Sequence, residues 1–164
     1  MANMSNSDLT EAQRCFIAGM TDLLEPWGMQ SATAGLYAYL LLCDEPVSLD
    51  AIAETLGMAK STASVAARAL EQFGLARRHT EAGSKRLRYG ASDSYSGFLM
   101  AQARLLEGIG QFAEINARDV ASGETLRRLR YLASFHRKMA ATISSRVAEL
   151  ADEFQAHGPD EDLR

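Results

Sequence analysis

Two clusters of side chains in this sequence are equipped to hold a polyanion. Lys60, Ser61, Thr62, Ser64 and Arg68 fall within "GMAKSTASVAARAL" at 57–70. Lys85, Arg86 and Arg88 follow in "EAGSKRLRYGA" at 81–91. Ammonium and guanidinium groups make charge-assisted hydrogen bonds to phosphate oxygens, and the guanidinium can do so as a fork. Hydroxyls reach the same oxygens or the polar edges of bases. From Met58 to Gly90 seven basic residues face two acidic ones, a surplus of five positive charges in a chain of net charge −4. A basic island in an acidic body is an electrostatic footprint that the total conceals. A solvated surface with a chance cluster is the bland alternative.

Other chemistries find no support. There is no Ser-His-Asp order, no His/Cys set at metal-ligand spacing and no phosphate-binding glycine loop. The three histidines, His79, His136 and His157, are scattered. The expectation is a protein that is not an enzyme and uses no cofactor or metal. Cys15 and Cys43 make neither a disulfide framework nor a zinc site. Small buried apolar residues are the commoner use of such cysteines, with oxidant sensing as the alternative. No run approaches the roughly 18 apolar residues of a membrane span. The start "MANMSNSDLT" lacks the basic and apolar regions of a secretory signal. The expected location is cytoplasmic, with no membrane partner.

Most of the chain has helical periodicity. Leu9, Ala12, Phe16, Met20 and Leu23 recur at three- and four-residue steps until "EPWG" at 25–28. "SATAGLYAYLLLC" forms a second, very apolar helix that stops before Pro46. Ser48 is a good N-cap for the next helix and Gly57 a good stop. A slim helix from Ala59 to Phe73 ends at Gly74. The period then changes, and "LARRHTEAGSKRLRYGA" predicts a two-stranded hairpin with a basic tip. Ser92 or Asp93 is expected to cap a long helix striped with Phe98, Gln102, Leu105, Ile109 and Phe112. Gly108 and Gly110 should weaken or bend that helix. The last helix repeats as a heptad seam: Leu126, Leu129, Ala133, His136, Ala140, Ile143, Val147, Leu150 and Phe154. A seam so long and apolar is expected to need a second copy of the chain to cover it.

Helix, glycine turn, slim helix, basic hairpin is the order of a winged helix-turn-helix. A helix that enters a major groove about 12 Å wide while its other face packs on a neighbour must be slim. Ala63, Ala66, Leu70 and Phe73 are the expected inward stripe, against Ile52, Ala53 and Leu56. Lys60, Ser61, Thr62, Ser64 and Arg68 are the expected outward, DNA-binding face. Arg68 has three readings: a guanine edge, a phosphate, or a salt bridge to Glu71 or Glu54.

At these residues the chain resembles a known family. "LDAIAETLGMAKSTASVAARALEQFGLARR" is similar to the DNA-binding core of the MarR superfamily. "EPWGMQSATAGLYAYLLLCDEPVSLDAIAETLGMAKSTAS" and "EAGSKRLRYGASD" resemble its GbsR-type branch, whose wing carries a Gly and basic pair before a Tyr-containing strand. The Asp-Arg-rich wing of common MarR members is absent. The resemblance covers Glu25 to Asp93 in detail. It implies a homodimeric transcriptional regulator, usually a repressor, binding a pseudo-palindromic operator in double-stranded DNA, with N- and C-terminal helices forming the dimer.

The expected organisation is therefore an N-terminal dimerisation helix (1–28), a winged helix-turn-helix domain (29–91), C-terminal dimerisation helices (92–157) and a frayed tail (158–164). Trp27, Tyr37, Tyr39, Tyr131, Phe135 and His136 are candidates for a site holding a small organic or cationic effector. The alternative for these rings is plain core packing. The alternative function is a winged helix that binds protein rather than DNA, which would dispense with the basic groups on helix and wing.

Overall fold

The structure is a computed structural model that describes residues 9–80, 87–92 and 96–157. The chain divides into two compact units, Met1–Ser94 and Tyr95–Arg164.

The first unit begins with α1 (Glu11–Leu24), whose N-cap Thr10 forms a reciprocal capping box with Gln13. A 3₁₀ turn, Glu25–Trp27, ends at Gly28 with φ 88°, a left-handed conformation that favours glycine. Helix α2 (Ser31–Leu40) follows and α1 packs on it. Seven of the ten α2 residues are buried, so it is apolar all round because it is enclosed all round. Strand β1 (Val47–Ser48) precedes α3 (Leu49–Leu56). Ser48 caps α3 by accepting from the Ala51 amide at 3.3 Å, and Gly57 ends it with φ 63°. Helix α4 (Lys60–Gln72) is followed by β2 (Ala76–Thr80) and β3 (Leu87–Ala91).

The expected hairpin is present, in the register Ala76↔Ala91 to Thr80↔Leu87. It is not a two-stranded element, however. The sheet has three antiparallel strands in the order β1-β3-β2, with Val47 opposite Tyr89 and Ser48 opposite Arg88. Two residues are too few to display a period of two, so β1 has no sequence signature of its own.

Leu36, Tyr39, Leu40, Ile52, Thr55, Leu70 and Tyr89 are the largest fully buried side chains, and they tie α2, α3, α4 and β3 into one core. The Tyr39 hydroxyl hydrogen-bonds the Thr55 side chain, and burial pushes its pKa up to about 12. Between the ordinary value near 10 and that raised value, the folded chain holds a proton that the unfolded chain has lost. Stability should therefore fall as pH rises through this window, by at most about 1.4 kcal/mol per pH unit. Tyr39→Phe is expected to flatten this alkaline slope in denaturant titrations above about pH 10. An unchanged slope would assign the alkaline transition to other groups.

The second unit is a hairpin of two long helices, α5 (Ser96–Val120) and α6 (Gly123–His157), joined through Ala121 and Ser122. Its packing bears on three expectations. Of the heptad seam of α6, Ala133, Ala140 and Val147 are buried where α6 packs on α5, and Leu126, Leu129, His136, Ile143 and Leu150 are half-buried. On α5 the buried residues are Ala103, Gly110 and Ala117, at seven-residue steps, and not the large apolar stripe. Leu105 and Phe112 of that stripe are 58% and 73% exposed. Small residues let two helix backbones approach closely, which leaves the larger side chains outside. Gly110 marks the closest approach. A Cβ built there would lie 2.5 Å from Arg137 Cγ and 2.9 Å from the Ala133 carbonyl oxygen, whereas nothing lies within 4 Å of one at Gly108. So Gly110 is a contact point rather than a bend. The Ser92 amide donates to the Leu75 carbonyl at 3.0 Å, just beyond the Ala76–Ala91 pair. Asp93, Phe154 as a side chain and the tail from 158 lie outside the described residues.

Candidate nucleic-acid interface

Helix α4 divides its residues cleanly. Ala63, Ala66, Ala67 and Leu70 are buried, with Ile52 and Thr55 of α3 buried opposite. Phe73 is not part of that stripe. It is the C-cap residue and 38% exposed, because the chain is already turning towards Gly74 at φ 71°. Lys60, Ser61, Thr62 and Arg68 are exposed and Ser64 is half-buried. One exposed member escaped the sequence reading. Val65 is 54% exposed on the same face, one turn from both Ser61 and Arg68. A lone valine among alanines reads as core from sequence, and only the turn of the helix places it outside. An exposed apolar group there suits the methyl group of a thymine.

The N-terminus of α4 is open. Its N-cap is Ala59, and no side chain bonds the first-turn amides. Lys60 leads this turn and reaches back across the glycine turn to Asp50 of α3, at 2.7 Å. Both partners are largely exposed, so the pair contributes little stability and can yield to a phosphate. Arg68 forms no ion pair among the described residues. Its expected partner Glu71 is engaged by Arg78 of β2, at 3.5 Å. Neither Glu71 nor Glu54 forms an ion pair with Arg68 among the described residues, and the Arg68 side chain is exposed.

The wing is described only in its two strands. Arg77 and Arg78 stand exposed on β2. Lys85 and Arg86 lie outside the described residues. Arg88 is half-buried in β3, and its Nη1 donates to the Pro46 carbonyl at 3.4 Å. It therefore braces β3 against the segment that leads into α3.

The candidate effector residues fall in both units. In the first, Tyr37 and Tyr39 are buried in the core, while Trp27 is 89% exposed at the end of its 3₁₀ turn. In the second, Tyr131 and Phe135 are exposed and their rings stack at 6.3 Å. His136 is half-buried, with Nδ1 donating to the Leu132 carbonyl at 2.9 Å. Burial pushes the Cys43 thiol up, and Sγ donates to the Tyr39 carbonyl at 3.3 Å, so this thiol is poorly suited to react. Cys15 is exposed. Among the described residues, no group of three or more His, Cys, Asp or Glu could hold a metal. No described helix is long and apolar enough to cross a membrane.

Residues 38–80, from the second half of α2 to the end of β2, match the IclR helix-turn-helix domain. No curated protein matches the chain. A solved structure described as a transcriptional regulator overlays with a TM-score of 0.78 at 23% identity, covering 86% of this chain and 99% of that one. The transcriptional regulator SlyA matches at 18% identity over 79% of this chain and 89% of its own, with a TM-score of 0.38. A MepR variant from S. aureus gives 18% identity over 87% and 99%, with a TM-score of 0.41. The last two scores are too low to indicate a shared overall arrangement. The match over 38–80, the three-stranded sheet and the first overlay make this chain, by fold, a winged helix-turn-helix protein.

Proposed function

We propose that the chain is a DNA-binding transcriptional regulator of the MarR superfamily, in its GbsR-type branch, acting as a homodimer on a pseudo-palindromic operator and usually repressing. The observation that carries this reading is α4. One face is buried through small side chains, and the other presents Ser61, Thr62, Val65 and Arg68 with no bulky group in the way. That is the shape and chemistry a major groove accepts. Selection of bound duplexes from a random pool tests it. A palindromic consensus with half-sites about 34 Å apart, one helical turn, is the expected result. Recovery of no consensus, with no salt-dependent duplex binding, would favour the protein-binding alternative.

The wing is part of the proposal. Alanine at Lys85 and Arg86 should weaken binding to all sequences alike, and each lost phosphate contact should reduce the salt slope by about 0.9 per half-site. A slope that does not move would exclude the wing from the interface.

The homodimer is assigned to the faces the hairpin leaves open. Leu105, Ile109 and Phe112 on α5, and Tyr131, Phe135 and Met139 on α6, are exposed large apolar residues at helical spacing. Phe16 and Leu23 add a similar stripe on α1. Leu105→Glu with Phe112→Glu should give folded monomers that lose operator affinity. Wild-type chain that scatters light as a monomer at micromolar concentration would overturn this assignment. A small organic or cationic effector belongs to the same reading.

A further inference from the structure

A groove of about 840 Å³ runs along the α5–α6 hairpin. Its charges are unequal. Glu107 and Glu114 face four cations: Arg118, Arg130, Arg137 and Lys138. Both carboxylates are already engaged by Arg137, at 3.4 Å to Glu107 and 2.6 Å to Glu114. The side chains of Arg118, Arg130 and Lys138 form no ion pair or hydrogen bond among the described residues. Arg137 offsets one of the two carboxylate charges, so the groove keeps a surplus of two positive charges, with three cations outside any ion pair. Ile115, Ala133, Ser134 and Ala141 complete the lining.

The cations stand at two heights. Arg118 lies in the last turns of α5 and Arg130 in the early turns of α6, both towards the connection of the hairpin. Lys138 is eight residues beyond Arg130, about 12 Å along the helix axis. Ser134 and Arg137 lie between them on α6, with Ile115 of α5 alongside. We propose that this groove binds a small organic dianion of the dicarboxylate type, with one carboxylate at Arg118 and Arg130, the other at Lys138, and a short aliphatic body over Ile115 and Ser134. Arginine at the first end takes a carboxylate through two parallel hydrogen bonds, and lysine at the second acts as a compact point charge. The site lies wholly within the hairpin.

Calorimetric titration and thermal unfolding of the full chain with adipate, at fixed ionic strength, test the proposal. The expected result is saturable heat and a melting temperature that climbs with the logarithm of adipate concentration, as for any ligand that binds only the folded chain. Hexanoate, with one carboxylate on the same body, should bind about tenfold or more weakly. Arg118→Ala with Arg130→Ala should abolish saturation, Lys138→Gln should reduce adipate to the hexanoate level, and Lys60→Ala with Arg68→Ala should leave the response intact. Four outcomes would overturn the proposal: no saturation by about 10 mM, equal binding of hexanoate, a response that survives loss of both arginines, or one that disappears with Lys60 and Arg68. If the double arginine variant loses affinity for duplex DNA while adipate never binds, the groove faces nucleic acid instead.

Discussion

Replacing Gly110 with alanine is expected to destabilise the α5–α6 hairpin by about 1 kcal/mol, and replacing it with valine by about 3 kcal/mol. Two effects of opposite sign compete. Alanine gains about 1 kcal/mol of helix propensity over glycine. Against that, its Cβ would meet Arg137 Cγ at 2.5 Å and the Ala133 carbonyl oxygen at 2.9 Å. The carbonyl is backbone and Cγ is near the root of its side chain, so neither moves without moving α6. Overpacking of this kind costs about 1–3 kcal/mol and outweighs the propensity. Valine adds two methyl groups and loses most of the propensity gain. Gly108 is the internal control. Nothing lies within 4 Å of its Cβ position, so Gly108→Ala should stabilise by up to about 1 kcal/mol. Thermal unfolding of the variants should thus give shifts of opposite sign from two glycines on the same helix, each about 4–8 °C per kcal/mol for a unit of this size. Equal stabilisation by both alanines would mean the helices do not approach at Gly110.

Alanine at Arg68 is expected to weaken operator binding by about 1–3 kcal/mol, or about five- to 150-fold. The size follows from its position: exposed, two turns into α4, with no ion pair among the described residues to compensate its loss. Arg68→Lys separates the two remaining roles. Lysine keeps the charge but not the fork. If Arg68 reads a guanine, lysine should recover little, and the loss should be confined to the selected sequence. If Arg68 clamps a phosphate, lysine should recover most of the affinity, and alanine should lower the salt slope by about 0.9 per half-site. Quantitative gel shifts at several salt concentrations give both readings. Unchanged affinity in Arg68→Ala would take this face of α4 out of the interface.

Elements bounded by strong local signals were legible in the sequence. Ser48, Gly57 and Gly74 punctuate α3 and α4, and each does in the fold what its chemistry dictates. The alternation of buried and exposed positions on α4 could be counted off by helical spacing, apart from Val65 and Phe73. What failed was the choice of face on α5. Hydrophobic periodicity finds large residues, and Leu105, Ile109 and Phe112 are large. The contact with α6 is instead made by Ala103, Gly110 and Ala117, whose importance lies in what they do not fill. The same bias left the seam of α6 without a visible partner inside the chain. Arg88 was grouped with the wing tip by its charge, but a strand alternates its side chains, and its neighbours in space are set by the register with β1.

Ser48 belongs to two structures at once. Its backbone pairs with Arg88 in the sheet while its hydroxyl caps α3. The base of the wing is therefore not hinged to the helix-turn-helix but riveted to it, with the Arg88–Pro46 hydrogen bond as a second rivet two residues away. Two rivets remove the freedom to swivel about one. Any tilt of β3 is passed to the first turn of α3, and through the packing of α3 on α4 to α4. On the duplex proposed above, the two elements would arrive as a single die, its two impressions cast in fixed relation.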